Sequence, residues 1–314
     1  MSQEIEWNFD SKDGKTLIHA VRWMPESGEF KAILQITHGM IEFIERYRLF
    51  AEYLTEQGYL VVGHDHIGHG ASINSKDDWG YFAPDHASDI LVEDMHELRT
   101  IIQKEYPDKP YFILGHSMGS YMLRKYIVLH GEGLSGAILM GTGYLPDQTL
   151  KLAINMSKFL SLFFGWRHRS KLLTKMSFGG PYKKYDLTGS DLNNSWLTKD
   201  PKIVDAYYHE PRCTYLFTTN GYKGMAEAIL FDNQPDNIAK VPKDLPIFLV
   251  SGAEDPVGEN GKGVKIVYEQ YKNAGINDIT WKLYENDRHE ILNELDKENV
   301  YHDILSWLNV HMEL

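Results

Sequence analysis

The first residues that could do chemistry form the run Gly115-His116-Ser117-Met118-Gly119. An almost wholly apolar stretch, 111–115, precedes the serine, and a helix-like stretch to about residue 130 follows it. A serine on a sharp turn between a buried strand and a helix projects above the carboxyl edge of a sheet, and flanking glycines let strand and helix pack closely. The pattern predicts that Ser117 is a nucleophile. The alternative is a helix-capping serine in a tight turn, and the second glycine argues against it.

A nucleophilic serine needs a general base, and in the strand–turn–helix arrangement the acid and then the histidine follow later in the chain. His289 lies in the polar loop 285–290, just after the last predicted strand. A base in that place can reach a serine at a neighbouring strand edge. The other histidines after Ser117 fall inside predicted helices or in the middle of the chain, so His289 is the predicted base.

The acid that orients the base should follow the preceding strand. The apolar run 246–252 leads into Ala253-Glu254-Asp255-Pro256, which offers two carboxylates. Asp255 is the predicted acid, because Pro256 fixes the following turn and the shorter side chain is the commoner solution. Glu254 remains the alternative. An acid in this role holds the imidazole tautomer and stabilises the imidazolium.

Two backbone N–H groups should stabilise the oxyanion that forms during attack on an ester. One belongs to the residue after the nucleophile, Met118, and the other to the loop after an early strand. The apolar run 33–37 ends in His38-Gly39-Met40, where the glycine allows the backbone to turn back towards Ser117. We therefore predict that the N–H groups of Met40 and Met118 form the oxyanion hole.

The elements that must position these residues alternate between short apolar strands and helices. Runs of Ile, Leu and Val without polar alternation are typical of a parallel sheet covered on both faces, so the sequence predicts an α/β fold with a doubly wound sheet. The predicted strands are 16–24, 32–38, 59–64, 111–115, 137–141, 246–252 and 279–284. The predicted helices are 47–57, 89–106, 117–130, 262–273 and one from about 297.

The alternation fails between residues 144 and 240, where helical periodicity continues without a convincing central strand. This indicates a helical cap, 144–240, inserted into a core formed by 1–143 and 241–314. Two independent domains are the alternative, and a long insertion between two core strands fits the resumed alternation better.

With these residues in place, the chain resembles the monoacylglycerol lipase and lysophospholipase group of serine α/β-hydrolases, in its bacterial lysophospholipase-like branch. The resemblance rests on HGMIEFIERY (38–47), DHIGHGAS (65–72), GHSMG, GAEDPVG and RHEILNE (288–294), and on SWLTKDPKIVDAYYHEPRCTYLFT (195–218) in the cap. It covers nearly the full length. Phe43, where a second histidine is usual, and Ser120, where a glycine is frequent, depart from the pattern.

The resemblance implies an α/β-hydrolase fold and hydrolysis of single-chain lipid esters, monoacylglycerol or lysophospholipid, through an acyl-enzyme on Ser117. It implies no metal and no organic cofactor. Seven residues are expected to contact substrate, three near the serine and four on the cap's first helix: His38, Gly39, His116, Leu150, Ile154, Phe159 and Phe163.

The cap also suggests that the substrate comes from a membrane surface. Residues 144–185 contain eight basic and one acidic residue, and 150–164 is apolar nearly all round. Such a helix is buried, lines an apolar tunnel or lies against lipid. We expect a lid over an acyl tunnel, with Arg167, Arg169, Lys171 and Lys175 facing an anionic membrane surface. The alternative is a packed cap helix with a solvated basic face.

Composition excludes several other classes. The 32 Lys and Arg against 44 Asp and Glu give a net charge of −12, which disfavours nucleic-acid binding. Cys213 is the single cysteine, so an internal disulfide cannot form. The first residues are polar and acidic and no run reaches the roughly 18 apolar residues of a membrane span, so we expect a cytoplasmic protein.

One segment imitates a metal site. His64, Asp65, His66 and His69 are close in sequence, but their spacing does not match that of binuclear zinc hydrolases. We interpret them as structural residues.

Three rival functions stay open at this point: a short-chain carboxylesterase, a capped serine aminopeptidase, and a ligand-binding receptor on a retained hydrolase fold.

Overall fold

The computed structural model of the protein describes residues 2–312. Its centre is an eight-stranded sheet with the order β1-β2-β4-β3-β5-β6-β7-β8. The first two strands are antiparallel to their neighbours and the other pairings are parallel. The strands are β1 (Ser2–Asp10), β2 (Leu17–Pro25), β3 (Ala32–Thr37), β4 (Tyr59–His64), β5 (Tyr111–His116), β6 (Gly136–Met140), β7 (Ile247–Gly252) and β8 (Ile279–Tyr284).

Helices cover both faces of this sheet. They are α1 (Arg48–Glu56), α2 (Ala87–Glu105), α3 (Met118–His130), α4 (Asp147–Phe164), α5 (Lys171–Ser177), α6 (Pro201–His209), α7 (Thr219–Asp232), α8 (Pro235–Ile238), α9 (Lys262–Asn273) and α10 (Lys297–Val310). One apolar core lies between the sheet and α2, α3 and α9, and the other between the sheet and α1 and α10. The doubly wound α/β fold predicted from the apolar runs is confirmed.

The central strands follow the predicted pattern. Every residue of β3, β4, β5, β6 and β7 is buried, as expected for parallel strands with helices on both faces. The strand β1 was not predicted. Its Ile5, Trp7 and Phe9 alternate with polar residues, so the two-residue period was present in the sequence. This strand pairs antiparallel with β2 at the edge of the sheet.

Residues 141–246, here called the insert, connect β6 to β7 through the five helices α4 to α8. Within it, α4 packs against α7, and α7 packs against α3 and α2 beneath it. This helical connection agrees with the stretch in which strand–helix alternation fails, and the division into core and cap at 144 and 240 stays a prediction. Among residues 2–312, no helix is long and apolar enough to cross a membrane.

A buried carboxylate fastens the β1–β2 turn to the helix layer. Asp94 of α2 is fully buried and accepts hydrogen bonds from Ser11 Oγ at 2.8 Å and from the Lys12 N–H at 2.7 Å. Burial raises the pKa of Asp94 from 3.8 to about 7. The folded protein therefore holds a proton that the unfolded chain releases, and this contribution to stability is lost as the pH rises from about 4 to about 7.

Asp94→Asn should remove that part of the pH dependence, because the amide has nearly the same shape and does not ionise. We expect the melting temperature of the variant, relative to the wild type, to increase steadily between pH 4 and pH 7. Thermal unfolding of both proteins in matched buffers measures this. A difference that is constant over the range would contradict the assignment.

Candidate active site

Ser117 lies at the turn between β5 and α3 in a strained backbone conformation. Its φ of 52° and ψ of −118° are rarely adopted by residues other than glycine. Its N–H donates to the Met140 carbonyl of β6 at 2.9 Å, which holds the turn against the neighbouring strand. Backbone strain of this kind persists only where surrounding structure enforces it, and it is typical of functional turns.

The two glycines of the motif are required by close packing. A Cβ on Gly119 would overlap the backbone oxygens of Thr37 and His38 at the end of β3. A Cβ on Gly115 would overlap the Gly119 carbonyl across the turn. Both glycines therefore allow β3, β5 and α3 to meet beneath Ser117.

His289 and Asp255 come together through the loops that follow β8 and β7. The Nδ1 atom of His289 lies 2.9 Å from Oδ2 of Asp255, and both side chains are buried. Asp255 also accepts hydrogen bonds from Ser251 Oγ at 3.1 Å and from the Val257 N–H at 2.8 Å. Each of these bonds fixes the carboxylate in the orientation that faces the imidazole.

Glu254, the alternative acid, lies elsewhere. Its Oε1 is 3.1 Å from Lys199 Nζ and its Oε2 is 3.9 Å from Arg288 Nε, and its side chain is 38% exposed. Its neighbours are thus the partly exposed Lys199 of the insert and the buried Arg288 of the loop 285–290. The geometry favours Asp255 as the partner of His289.

The turn after β3 lies directly against the serine. A Cβ on Gly39 would be 3.0 Å from Ser117 Cβ, which leaves room for glycine alone without a shift of neighbouring atoms. Met40 and Met118 both line the cavity into which Ser117 opens. This placement agrees with a backbone oxyanion site formed by these two residues, which stays a prediction.

A buried charged cluster supports that turn from below. One oxygen of Glu42 accepts from the Gly39 N–H at 2.6 Å and from Tyr47 Oη at 2.8 Å, and lies 3.0 Å from Nδ1 of His116. Burial opposes ionisation of Glu42, but the hydrogen bond and charge of His116, with the charge of Arg46, lower the pKa of Glu42 overall. The same pairing outweighs burial at His116 and raises its pKa. Each of the two side chains thus favours the charged form of the other.

Ser117 and His289 open into one cavity of about 380 Å³. Its walls are mainly apolar and aromatic, from the ends of β3 and β5 and from α4, α5 and α7 of the insert. Among the described residues that line it, none is Lys or Arg, and the carboxylates are Glu42, Glu259 and Glu290. Two of these are compensated, because Arg46 lies 2.7 Å from both Glu42 and Glu290.

The residues expected to contact substrate divide into two groups. Gly39, His116 and Leu150 line the cavity. His38 is fully buried, and its ring accepts from the His66 N–H at 2.9 Å behind the turn. The other three lie on α4 but outside the cavity.

The positions of those three correct the expectation that they line the substrate site. Ile154 packs in an apolar cluster between α4 and α7. Phe159 and Phe163 are 56% and 68% exposed on the outer face of the helix. Because α4 is apolar on most sides, its sequence did not distinguish the face that meets the cavity from the face that meets solvent.

The histidine segment after β4 is part of the core. His64, His66 and His69 are fully buried, and desolvation lowers the pKa of His64 and of His69 to about 3. Asp65 accepts from the N–H groups of Ile44 and Ala71, both at 2.8 Å, and lies 3.0 Å from His19 Nδ1. These contacts fasten the loop after β4, and the structural role of the histidines stays a prediction. His19, Glu45 and Asp65 have donor atoms within 4.8 Å of one another, and the contact of His19 with Asp65 accounts for part of that proximity.

Comparison with known proteins places this geometry in a family. Residues 28–296 match the family described as serine aminopeptidase, S33. The chain belongs to this family. It is 28% identical to monoglyceride lipase of Mus musculus over 91% of this chain and 85% of that protein. It is 26% identical to monoacylglycerol lipase of Mycolicibacterium smegmatis over 99% of each chain. The highly thermostable carboxyl esterase of Bacillus coagulans, solved in complex with glycerol, matches with a TM-score of 0.89 and 29% identity over 99% of this chain and 100% of that one.

These likenesses confirm the predicted family resemblance and the α/β-hydrolase fold. Sequence reasoning missed one member of this S33 site, Trp196, whose ring stacks on His289 with centroids 5.1 Å apart. The stretch 195–218 carries part of the family resemblance, but no pattern in it indicates the contact of Trp196 with His289. The sequence also did not predict the roles of Glu42 and Arg46, although both residues belong to the segment 38–47 that carries the resemblance.

Asp255→Asn should lower kcat by about four orders of magnitude, because an amide facing Nδ1 favours the wrong imidazole tautomer. Glu254→Gln is the matched control at the adjacent position, and it should keep kcat within about threefold since its carboxylate faces Lys199 and Arg288 and not the imidazole. Steady-state ester hydrolysis by the two variants measures both. Equal losses, or the larger loss in Glu254→Gln, would contradict the assignment.

Proposed function

We propose that the protein is a monoacylglycerol lipase, a serine carboxylester hydrolase that cleaves single-chain lipid esters through an acyl-enzyme on Ser117. The observation that carries the proposal is the apolar cavity to which both Ser117 and His289 contribute and which no described Lys or Arg lines. Ester hydrolysis of lipids fits the activities named for the mouse and mycobacterial relatives and for the Bacillus coagulans esterase. The protein is accordingly a carboxylic ester hydrolase.

In the proposed mechanism, Ser117 Oγ attacks the ester carbonyl while His289 accepts the hydroxyl proton. Asp255 holds the imidazole through Nδ1 and stabilises the imidazolium. The N–H groups of Met40 and Met118 donate to the oxyanion, and donors of this kind are typically worth about 100- to 1000-fold in rate. His289 returns the proton to the departing alcohol, and water activated by His289 then releases the fatty acid.

The lining of the cavity favours an uncharged head group. A lysophospholipid would bring a phosphodiester close to Glu259 and Glu290, with no described Lys or Arg in the lining to compensate its charge. A glycerol group is neutral and requires only hydrogen bonds. The glycerol in the complex of the Bacillus coagulans esterase is consistent with this choice. Monoacylglycerol is therefore preferred over lysophospholipid.

The same walls favour a long acyl chain. Leu150, Leu173, Met225 and Ile229 contribute apolar surface to the cavity. Each methylene removed from water contributes about 0.8 kcal/mol. A short-chain ester would leave much of that surface without a partner.

The family description favours a second candidate, a serine aminopeptidase. Such an enzyme needs a carboxylate to bind the substrate amine. Glu42 and Glu290 are already paired with Arg46, which leaves Glu259, an exposed residue, as the described cavity carboxylate that is not bound to that arginine. Activity on aminoacyl-naphthylamides with no activity on lipid esters would favour this candidate.

The head-group and chain-length proposals are tested together by comparing kcat/KM on three esters. We expect a long-chain monoacylglycerol to exceed a lysophosphatidylcholine of the same chain and a butyrate ester, each by about tenfold or more. Ser117→Ala, the blank, should lose about six orders of magnitude in kcat. A wide preference for butyrate would contradict the acyl cavity, and a preference for lysophosphatidylcholine would contradict the neutral head group.

We also propose that the insert touches an anionic membrane surface from the cytoplasmic side. The exposed apolar residues Phe159, Leu162, Phe163 and Phe164 form the end of α4, and Leu162 is 82% exposed. A patch of this kind on a surface helix is typical of a lipid or protein contact. Met176 of nearby α5 is both exposed and part of the cavity lining, which puts the patch close to the entrance.

The cations of this surface differ from the expected set. Arg167 pairs with Asp78 at 2.5 Å and stacks on Tyr81 at 4.0 Å, and Arg169 donates to the Leu216 carbonyl. These two arginines fasten the insert and are not available in this conformation to bind head groups. Lys171 and Lys175 are exposed on α5, and Lys158 on α4 adds to them. The electrostatic part of the proposal now rests on these three lysines.

Flotation with vesicles that contain anionic lipid tests the membrane contact. Leu162→Ser/Phe163→Ser should lower the bound fraction severalfold, because each side chain gives up most of its insertion energy. The matched control is Leu129→Ser/Val310→Ser, which alters exposed residues on α3 and α10 and should leave binding unchanged. If wild-type protein does not associate at low salt, or if both double variants lose binding equally, the proposal is wrong.

A further inference from the structure

The imidazole of His289 contacts two other rings. His116 lies on one side with ring centroids 4.7 Å apart and planes inclined by 37°, and Trp196 of the insert lies at 5.1 Å with planes inclined by 30°. His289 is only 2% exposed as a result. The ring nitrogens remain at the edges, with Nδ1 directed at Asp255. The base of the proposed mechanism therefore contacts one ring of the core and one ring of the insert.

Backbone hydrogen bonds fasten this part of the insert to the loop that carries the base. The N–H groups of His289 and Glu290 donate to the carbonyls of Trp196 at 3.4 Å and Leu197 at 2.7 Å. The two segments thus run alongside each other for two residues. Trp196 is therefore held by its own backbone as well as by the stacking of its ring.

The side chain of Arg288 strengthens the same junction. Its guanidinium Nη1 lies 2.5 Å from the Ser195 carbonyl, 3.2 Å from that of Asn193 and 3.4 Å from that of Thr198. Arg288 is 9% exposed, so these bonds are shielded from water. Glu294 bridges the segments from the other end, since its carboxylate accepts from the N–H groups of Arg288 at 2.8 Å and Lys199 at 2.9 Å.

From these contacts we propose that Trp196 is a positioning residue for the general base, and that Arg288 holds the segment 193–198 so that the indole stays on the imidazole. The inference rests on the proposed function, in which His289 is the base. The stacked indole of Trp196, together with the tilted ring of His116, restricts rotation of the imidazole about its Cβ–Cγ bond, which would take Nδ1 away from Asp255. The indole face also stabilises the imidazolium that forms when His289 accepts the serine proton.

Positioning of this kind acts on the chemical step. A catalytic group displaced by about 1 Å can cost about 100-fold in rate. Trp196 also lines the cavity, with Phe178 at 5.8 Å and Tyr182 at 5.4 Å between ring centroids, so it could instead serve only as a wall for substrate. The two roles differ, because loss of a wall raises KM, whereas loss of positioning lowers kcat.

The test compares Trp196→Leu with Trp196→Phe. We expect Trp196→Leu to lower kcat about tenfold or more with KM within about threefold, and Trp196→Phe to restore kcat to within about threefold of wild type, since phenylalanine keeps a stacked ring. A second readout is the rate of labelling by diisopropyl fluorophosphate, a small probe that needs the activated serine but not the acyl cavity. This rate should fall with kcat in the leucine variant.

Trp281→Leu makes the same exchange on β8, where the indole is 36% exposed, and should leave both rates unchanged. Arg288→Met tests the same positioning with the indole kept, and it serves as the test if Trp196→Leu does not fold. It should also lower kcat and the labelling rate. If Arg288 acts through Trp196, the double variant should lose no more than Trp196→Leu alone.

The inference is overturned if Trp196→Leu keeps wild-type kcat and labelling rate, if only its KM changes, or if the phenylalanine variant falls as far as the leucine variant. These results differ from a failure of the proposed function. If the proposed function is wrong, wild-type protein will neither hydrolyse the three esters nor react with the probe, and the inference then fails together with the proposed function. Melting temperatures of all variants identify any loss that follows from unfolding.

Discussion

The carboxylate of Glu42 is the contact on which the arrangement of this site depends. It accepts the N–H of Gly39 and so fixes the turn that lies against Ser117. It also faces His116, which covers one side of His289. Through Arg46, which binds both Glu42 and Glu290, the same charge reaches the loop of the base. One buried anion thus connects the turn after β3, His116 and Glu290.

Burying such a cluster is costly unless each charge has partners. Glu42 has Tyr47, His116, Arg46 and a backbone N–H around its two oxygens, and Arg46 makes two bonds with Glu290. Removing one member would leave a buried charge without compensation, and that penalty explains why a site made of loops can be rigid. Rigidity is what the proposed chemistry requires, because the serine, the oxyanion donors and the base come from three different strand ends.

Much of the fold and of this site could be predicted because the signals were local. Ser117, Asp255 and the Gly39 turn each follow an apolar strand, and the carboxyl ends of parallel strands meet at one edge of a sheet. The strand β1 was not predicted although Ile5, Trp7 and Phe9 carry the alternation, because these residues do not form a continuous apolar run. Phe159 and Phe163 were assigned to the cavity because α4 is apolar on most sides, and periodicity cannot choose between two apolar faces.

The contact of Trp196 with His289 could not be predicted for a different reason. It joins residues 93 positions apart through irregular backbone on both sides, where neither helical nor strand periodicity applies. The insert therefore has two parts that differ in how they are held to the rest of the protein. Its segment 193–198 is fastened to the loop of the base by backbone bonds and by Arg288, so it cannot move far without displacing the imidazole. The end of α4 presents exposed apolar side chains instead. If the proposed access of lipid requires an opening of the cavity, the contacts of the segment at Trp196 favour a movement of α4 and α5 over a movement of that segment.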